Sequence, residues 1–410
     1  MQMNNILNWS DLEKIQAEDI DRVNGPTNSY SNIRLFNHSE KEVQLVLFRD
    51  RHAWCPYCQK IWLWLELKKI PYRIEKINMF CYGDKESWYL HKIPSGKLPA
   101  IELNGKIITE SDEIIWSLEK EFGVLGSSIF SSTLLEIRKL ERDIFRTWCN
   151  WLCRKELFSI KNSLKKDQLR IKLNELDLLL ARSASGFLDP IEKSPNDFYP
   201  GTGDIIFIPY LERMNASLCY YKGFNLRKEF PNINNWLTLL ENITIYRGTQ
   251  GDFHTHSHDL PPQMGGCFKE VNEKQILFSN LIDNGHGLGN LEINKELDLL
   301  YYSKFALMRI IKHKDNIIQA NPCESKHFEV GLRSALTFMF DGPINEVDNF
   351  TAVGLRYLKD RISVPRDMPL ISARLLRQSL EKIASTSKSG DSYKLNKTDR
   401  FDQDPKKFSN

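Results

Sequence analysis

Cys55-Pro56-Tyr57-Cys58 stands between a short apolar run and a helical pattern, and this junction restricts what the chain can fold into. Residues 43–48 (VQLVLF) read as a buried strand. Residues 56–69 read as a helix with Ile61, Trp64, Leu65 and Lys68 on one face. Pro56 suits the first helical turn, where its missing N–H costs nothing. A cysteine at a helix start is favoured as thiolate by unpaired N–H groups and the positive dipole end. Arg49, Arg51 and His52 add positive potential upstream. Cys58 lies one turn inside the helix, where it would resolve a mixed disulfide or, if simply buried, stay inert. Cys-x-x-Cys alone also reads as half of a zinc site. The chain has no second such pair, and Cys149 and Cys153, four apart on a helical pattern, read as core. Thiol redox or transferase chemistry is therefore the preferred reading. Eight cysteines in 410 residues are not disulfide-dense, and free thiols in a reducing compartment are the simpler expectation.

Downstream, residues 72–77 alternate as a strand and residues 85–92 read as a short helix. Residues 98–103 and 106–109 flank Asn104-Gly105, a strong hairpin signal. Residues 111–122 read as a helix, capped by Ser111 and ended by Gly123. The order β-α-β-α-β-β-α, compressed into about 80 residues, is the thioredoxin-like order. Residues 1–42 are polar and read as an N-terminal extension. Helical spacings dominate after residue 131, as at Leu134, Ile137, Leu140, Ile144 and Trp148, with a Ser-, Pro- and Gly-rich loop at 183–201. Residues 251–267, dense in His, Pro and Gly, read as a linker or structured loop. Further helical patterns follow, and the tail from 385 reads as disordered.

Several features together resemble the cysteine-type glutathione S-transferases. They are Cys55-Pro56-Tyr57-Cys58, Lys85-Glu86-Ser87-Trp88, Ile93-Pro94-Ser95-Gly96-Lys97-Leu98-Pro99 and Glu110-Ser111-Asp112. The resemblance implies that Cys55 is the nucleophile forming a mixed disulfide with glutathione, and that Cys58 can assist release. It implies that Leu98, before a cis Pro99, pairs its backbone with the cysteinyl part of glutathione. Glu110 would hold the γ-glutamyl ammonium, Ser111 and its helix start the γ-glutamyl carboxylate, and Lys85 the glycyl carboxylate. Asp204-Ile205-Ile206 through Leu211-Glu212 and Pro231-Asn232-Ile233 with Trp236 resemble the family's helical domain. Gly201 departs from the Ser or Thr usual three residues before that Asp, at a capping cost of a few tenths of a kcal/mol. The dithiol motif and the long extension are most like the iota class of photosynthetic organisms.

The expected architecture is an α/β thioredoxin-like domain (43–124), an all-α transferase C-terminal domain (125–267) and a mainly helical extension (268–384). The expected function is a glutathione-dependent thioltransferase, deglutathionylase or reductase. Its partners would be glutathione and a thiol-linked or electrophilic small molecule or glutathionylated protein; a homodimer is left open. A non-catalytic ligand carrier or assembly module on the same fold is the rival. The bland readings are a solvated Lys85 and a solvated Glu110. His254, His256 and His258 would share one face if extended and could hold a transition metal. A polar loop is preferred there, and no metal is assigned. Net charge +3, from 56 basic and 53 acidic residues, argues against nucleic acid. The longest apolar run, 205–211, is far short of the roughly 20 residues a membrane helix needs. With no secretory signal visible, the expected compartment is the cytoplasm, or the plastid stroma in a photosynthetic eukaryote.

Overall fold

The computed structural model describes residues 5–155, 159–287 and 298–387. The tail expected to be disordered lies, beyond residue 387, outside them.

The N-terminal segment is more than a polar extension. It forms helix α1 (Trp9–Ile15) and strand β1 (Ile33–Arg34). The part around β1 is held by a buried carboxylate. Glu66, 1% exposed, accepts hydrogen bonds from Arg34 (2.9 Å), Thr27 (2.7 Å) and Tyr72 (2.8 Å). A buried charge requires such partners, and Thr27 and Arg34 come from this segment. Strand β2 (Leu45–Asp50) leads to helix α2 (Pro56–Lys68), then β3 (Tyr72–Ile77) and α3 (Ser87–Lys92). The hairpin β4 (Ala100–Leu103) and β5 (Lys106–Thr109) follows, and α4 (Ser111–Phe122) closes the unit. The sheet order is β1-β3-β2-β4-β5. β2 and β3 are parallel, whereas β4 runs antiparallel to β2 and to β5, and β1 antiparallel to β3. This is a thioredoxin-like mixed sheet. It places the C-terminal end of β2, and hence the cysteines, at one edge of the domain.

The helical unit contains α5 (Ser132–Leu152), α6 (Ser159–Ala181), α7 (Thr202–Lys222), α8 (Leu226–Glu229), α9 (Pro231–Glu241), α10 (Thr244–Thr249) and α11 (Phe253–Met264). The loop expected at 183–201 instead holds a hairpin, β6 (Pro190–Ser194) and β7 (Asp197–Pro200), turned at Asn196 with φ 66°. α7 is buried along its whole length and shares one apolar core with α2, α5, α6 and α9. Its start is fixed by Asp204. This fully buried carboxylate accepts from the N–H groups of Leu188 (2.8 Å), Asp189 (3.0 Å) and Gly201 (3.3 Å), and from Trp236 Nε1 (2.8 Å). Gly201 is required rather than merely tolerated there, because a Cβ would lie 2.2 Å from the Asp189 carbonyl oxygen.

The expected linker at 251–267 is instead mostly the buried helix α11. Asp252 caps it by accepting from Thr255 N–H at 2.9 Å. Pro261 cannot donate back to Ser257, but the Tyr221 hydroxyl donates to that carbonyl at 2.7 Å. Prolines within the last turn are thus accommodated. The extension contributes α12 (Glu273–Asp283), α13 (Leu299–Lys312), α14 (Lys314–Gln319), α15 (Ser325–Phe338), α16 (Asn349–Arg361) and α17 (Leu370–Ala384). α13, α15, α16 and α17 build a second core, completed by Leu12 of α1, which is 0% exposed. Leu7 N–H donates to Thr337 Oγ1 at 3.0 Å. The extension docks on α11 through Val364 N–H to Thr255 Oγ1 (3.0 Å) and a buried Arg377–Asp252 ion pair. No helix among the described residues is long and apolar enough to cross a membrane.

Candidate functional site

β2 ends at Asp50, and a four-residue loop delivers Cys55 to the N-cap of α2. Two contacts hold the loop. The Trp54 N–H donates to the Asp50 carboxylate, and the Trp54 carbonyl accepts from Arg213 of α7. Arg213 also donates to Gln59 Oε1 (2.9 Å) and the Pro209 carbonyl (2.6 Å). Its guanidinium lies 4.8 Å from the Trp54 ring centre. The helical unit therefore clamps the residue just before Cys55. Cys55 is 6% exposed, and its Sγ accepts from the Cys58 N–H at 3.4 Å. Cys58 is 2% exposed, and burial, then Cys55 and Asp50, push its thiol well above the usual cysteine range. Asp50, Cys55 and Cys58 bring one donor atom each within 4.8 Å of one another.

A cavity of about 1290 Å³ opens between the thioredoxin-like domain and α5, α7 and α11. Cys55, Lys85, Leu98, Pro99, Glu110 and Ser111 all line it, so six of the seven residues singled out from sequence converge. Cys58 lies behind Cys55 and does not. Leu98–Pro99 is cis, the geometry the resemblance implies, and the Leu98 carbonyl oxygen is 4.0 Å from Cys55 Sγ. Lys85 lies in the loop before α3 rather than inside that helix, and its Nζ donates to the Asn78 carbonyl at 3.0 Å. Burial pulls its ammonium below the usual lysine range, and the nearby cysteines partly offset this.

Ser111 is the first residue of α4, not its cap. The cap position falls to Glu110, which has φ 65° and ψ 120° and makes no side-chain capping bond. Its carboxylate turns instead to Lys97 at 2.8 Å, on the surface. The first N–H groups of α4 thus lack a side-chain cap beside the cavity, where helix geometry favours an anion.

The far wall was not found from sequence. It includes Arg138, Arg142, Phe145 and Tyr210, whose segments read as core-facing helix. Lys60 carried a legible signal: it is a lysine within an apolar helix, one turn from Tyr57. It is 3% exposed, with Nζ 3.6 Å from Asp112 and 5.3 and 5.6 Å from the Tyr57 and Tyr210 ring centres. Burial lowers its pKa, and Asp112 opposes that. Asp112 in turn pairs with Arg138, linking the two units across the cavity.

Residues 54–121 match the family model described as Glutathione S-transferase, N-terminal domain. The chain is 26% identical over 196 residues to Glutathione S-transferase DHAR2 of Arabidopsis thaliana, covering 48% of this chain and 84% of that relative. It is 25% identical over 201 residues to Glutathione S-transferase L3 of the same plant, covering 48% and 79%. Among solved structures, the dehydroascorbate reductase of Chlamydomonas reinhardtii aligns at 21% identity and a TM-score of 0.42, over 51% of this chain and 93% of that one.

Proposed function

We propose that this protein is a cysteine-type glutathione transferase of the iota kind that exchanges thiols through a Cys55–glutathione mixed disulfide. The observation that carries the reading is the convergence of Cys55 with Lys85, Leu98, Pro99, Glu110 and Ser111 on one cavity. Each end of glutathione then has a counterpart. Lys85 offers a cation to the glycyl carboxylate. The uncapped start of α4 faces the γ-glutamyl carboxylate, Glu110 the ammonium, and the Leu98 backbone the cysteinyl amide.

In the first step Cys55 thiolate attacks the glutathionyl sulfur of a mixed-disulfide substrate. A Cys55–glutathione bond forms, the substrate disulfide breaks, and the substrate thiol leaves with a proton. In the second step a glutathione thiolate attacks that bond. Glutathione disulfide leaves, and Cys55 is restored as thiolate. Cys58, buried and held protonated, makes an external glutathione the better second nucleophile. Its thiol would have to lose a proton against its surroundings before it could attack.

Glutathione-dependent reduction of a glutathionylated small substrate tests this. Cys55→Ser should lose the exchange, by at least about 100-fold. Cys58→Ser should keep it within a few-fold. Equal loss in both variants would make the dithiol obligatory. A wild-type protein without exchange would refute the proposal and favour a ligand carrier, which should bind lipophilic ligands equally well as Cys55→Ser.

A further inference from the structure

The segment 251–267 lends Leu260, Gln263 and Met264 to the wall of the thiol cavity, but its three histidines, which the sequence marks strongly, do not line it. Folding it as α11 changes which histidines meet. On an extended chain His254, His256 and His258 would share a face; on a helix His254 and His258 align, four residues apart, and His256 points elsewhere. His256 finds one carboxylate, Glu212, at 2.6 Å. It is a structural pair.

The other face differs. His254 and His258 are 2% and 4% exposed, and their ring centres are 4.5 Å apart. Asp283, at the end of α12, lies 2.8 Å from His258 Nε2. Asp360, in α16, lies 3.3 Å from His254 Nε2. One donor atom from each of His254, His258 and Asp283 falls within 4.8 Å of the others. We propose that His254, His258 and Asp283 form a transition-metal site, suited to Zn²⁺, that joins the helical unit to the C-terminal extension, with Asp360 beside His254 at its margin.

The donor set fits that ion. Two imidazoles and one carboxylate supply three ligands to a divalent cation, and a water or the neighbouring Asp360 would complete a four-coordinate shell. Tetrahedral metal–ligand bonds of about 2.0–2.1 Å put neighbouring donors roughly 3.3 Å apart. The His254–Asp360 distance is already there. The His258–Asp283 pair need open by only half an ångström or so. The outer contacts also suit a ligand shell. Asp283 Oδ2 accepts from the Tyr220 hydroxyl at 3.1 Å, and the Asp283 carbonyl accepts from Lys359 Nζ at 2.7 Å. Lys359 Nζ is 3.9 Å from Asp360 Oδ1, yet its close carboxylate partner is Glu381, at 2.7 Å. Arg377, the other nearby cation, is neutralised by Asp252. His258 Nδ1 is buried without a hydrogen-bond partner.

The alternative is a cluster of histidine–carboxylate hydrogen bonds with no ion. Full-length protein, stripped with a chelator, reloaded with Zn²⁺ and desalted, decides between them by elemental analysis and Zn²⁺ titration. The site requires one tightly held Zn²⁺ per chain in the wild type and in a Cys55→Ser/Cys58→Ser double variant, which removes the thiol cluster. His258→Ala and Asp283→Asn should each weaken Zn²⁺ binding by more than about 100-fold. Asp283→Asn preserves shape, so it stays informative should His258→Ala fail to fold. Co²⁺ loading should give tetrahedral visible bands without a thiolate charge-transfer band. No retained metal, unchanged affinity in both variants, or a thiolate band from the bound Co²⁺ would each overturn the site.

Discussion

Glu110 holds a backbone conformation that residues with a side chain rarely adopt, at φ 65° and ψ 120°. Such geometry costs on the order of 1–3 kcal/mol and persists where surrounding structure imposes it, commonly at ligand sites. Its ion pair with Lys97 is exposed and worth little. The balance sets a prediction. Glu110→Gly should leave the melting temperature unchanged or raise stability by up to about 1 kcal/mol, while glutathione titration shows weaker binding. A destabilised variant that binds normally would contradict it. Sequence pointed to Glu110 beside Ser111 but could not show the positive φ, because residue type signals such a conformation only for Gly, Asn and Asp. The uncapped start of α4 was hidden for the same reason. Lys85 was legible as a cation near the site. Its bond to the Asn78 carbonyl, made across a loop, was not.

At the scale of elements, the start of α7 shows how much one buried carboxylate organises. Asp204 serves three backbone donors and one indole. Asp204→Ala would leave those donors buried and unpaired, at 1–3 kcal/mol for each that water does not reach. We expect a total loss of at least about 3 kcal/mol in denaturant unfolding, and a loss below about 1 kcal/mol would mean that the box is not rigid. The helices around it were readable, since their apolar residues repeat every three or four positions. α11 was not. Its Pro and His content mimics a loop, and in the folded chain Tyr221 supplies the Ser257 carbonyl with the hydrogen bond that Pro261 cannot. That compensation comes from a distant segment, beyond any local pattern. The hairpin β6–β7 escaped similarly: its strands are short, largely exposed and lack alternating apolar residues.

For the whole molecule, the thioredoxin-like and helical units were legible because each follows a recognisable order of elements. The tie between the two ends of the chain was not, since nothing in residues 1–42 announces a partner 300 residues away. Leu12 is buried in the core of the extension. Leu12→Ala should cost about 2–5 kcal/mol there. Limited proteolysis should then cut within α13–α17 at lower denaturant, while thiol exchange at Cys55 persists. Unchanged cleavage would show that α1 is only a surface attachment.

The same contact carries a temporal consequence. Leu7 and Thr337, joined by a hydrogen bond, are 330 residues apart in sequence. Synthesis at about 5–20 residues per second separates their emergence by roughly 15–65 s. The thioredoxin-like domain can fold within that interval, but α1 must wait with its apolar side uncovered until the extension has been made. Helix α1 is thus among the last elements to reach its place, although it is made before the domain that follows it, and a chaperone that held α1 during synthesis would be felt first in the packing of α13 and α15.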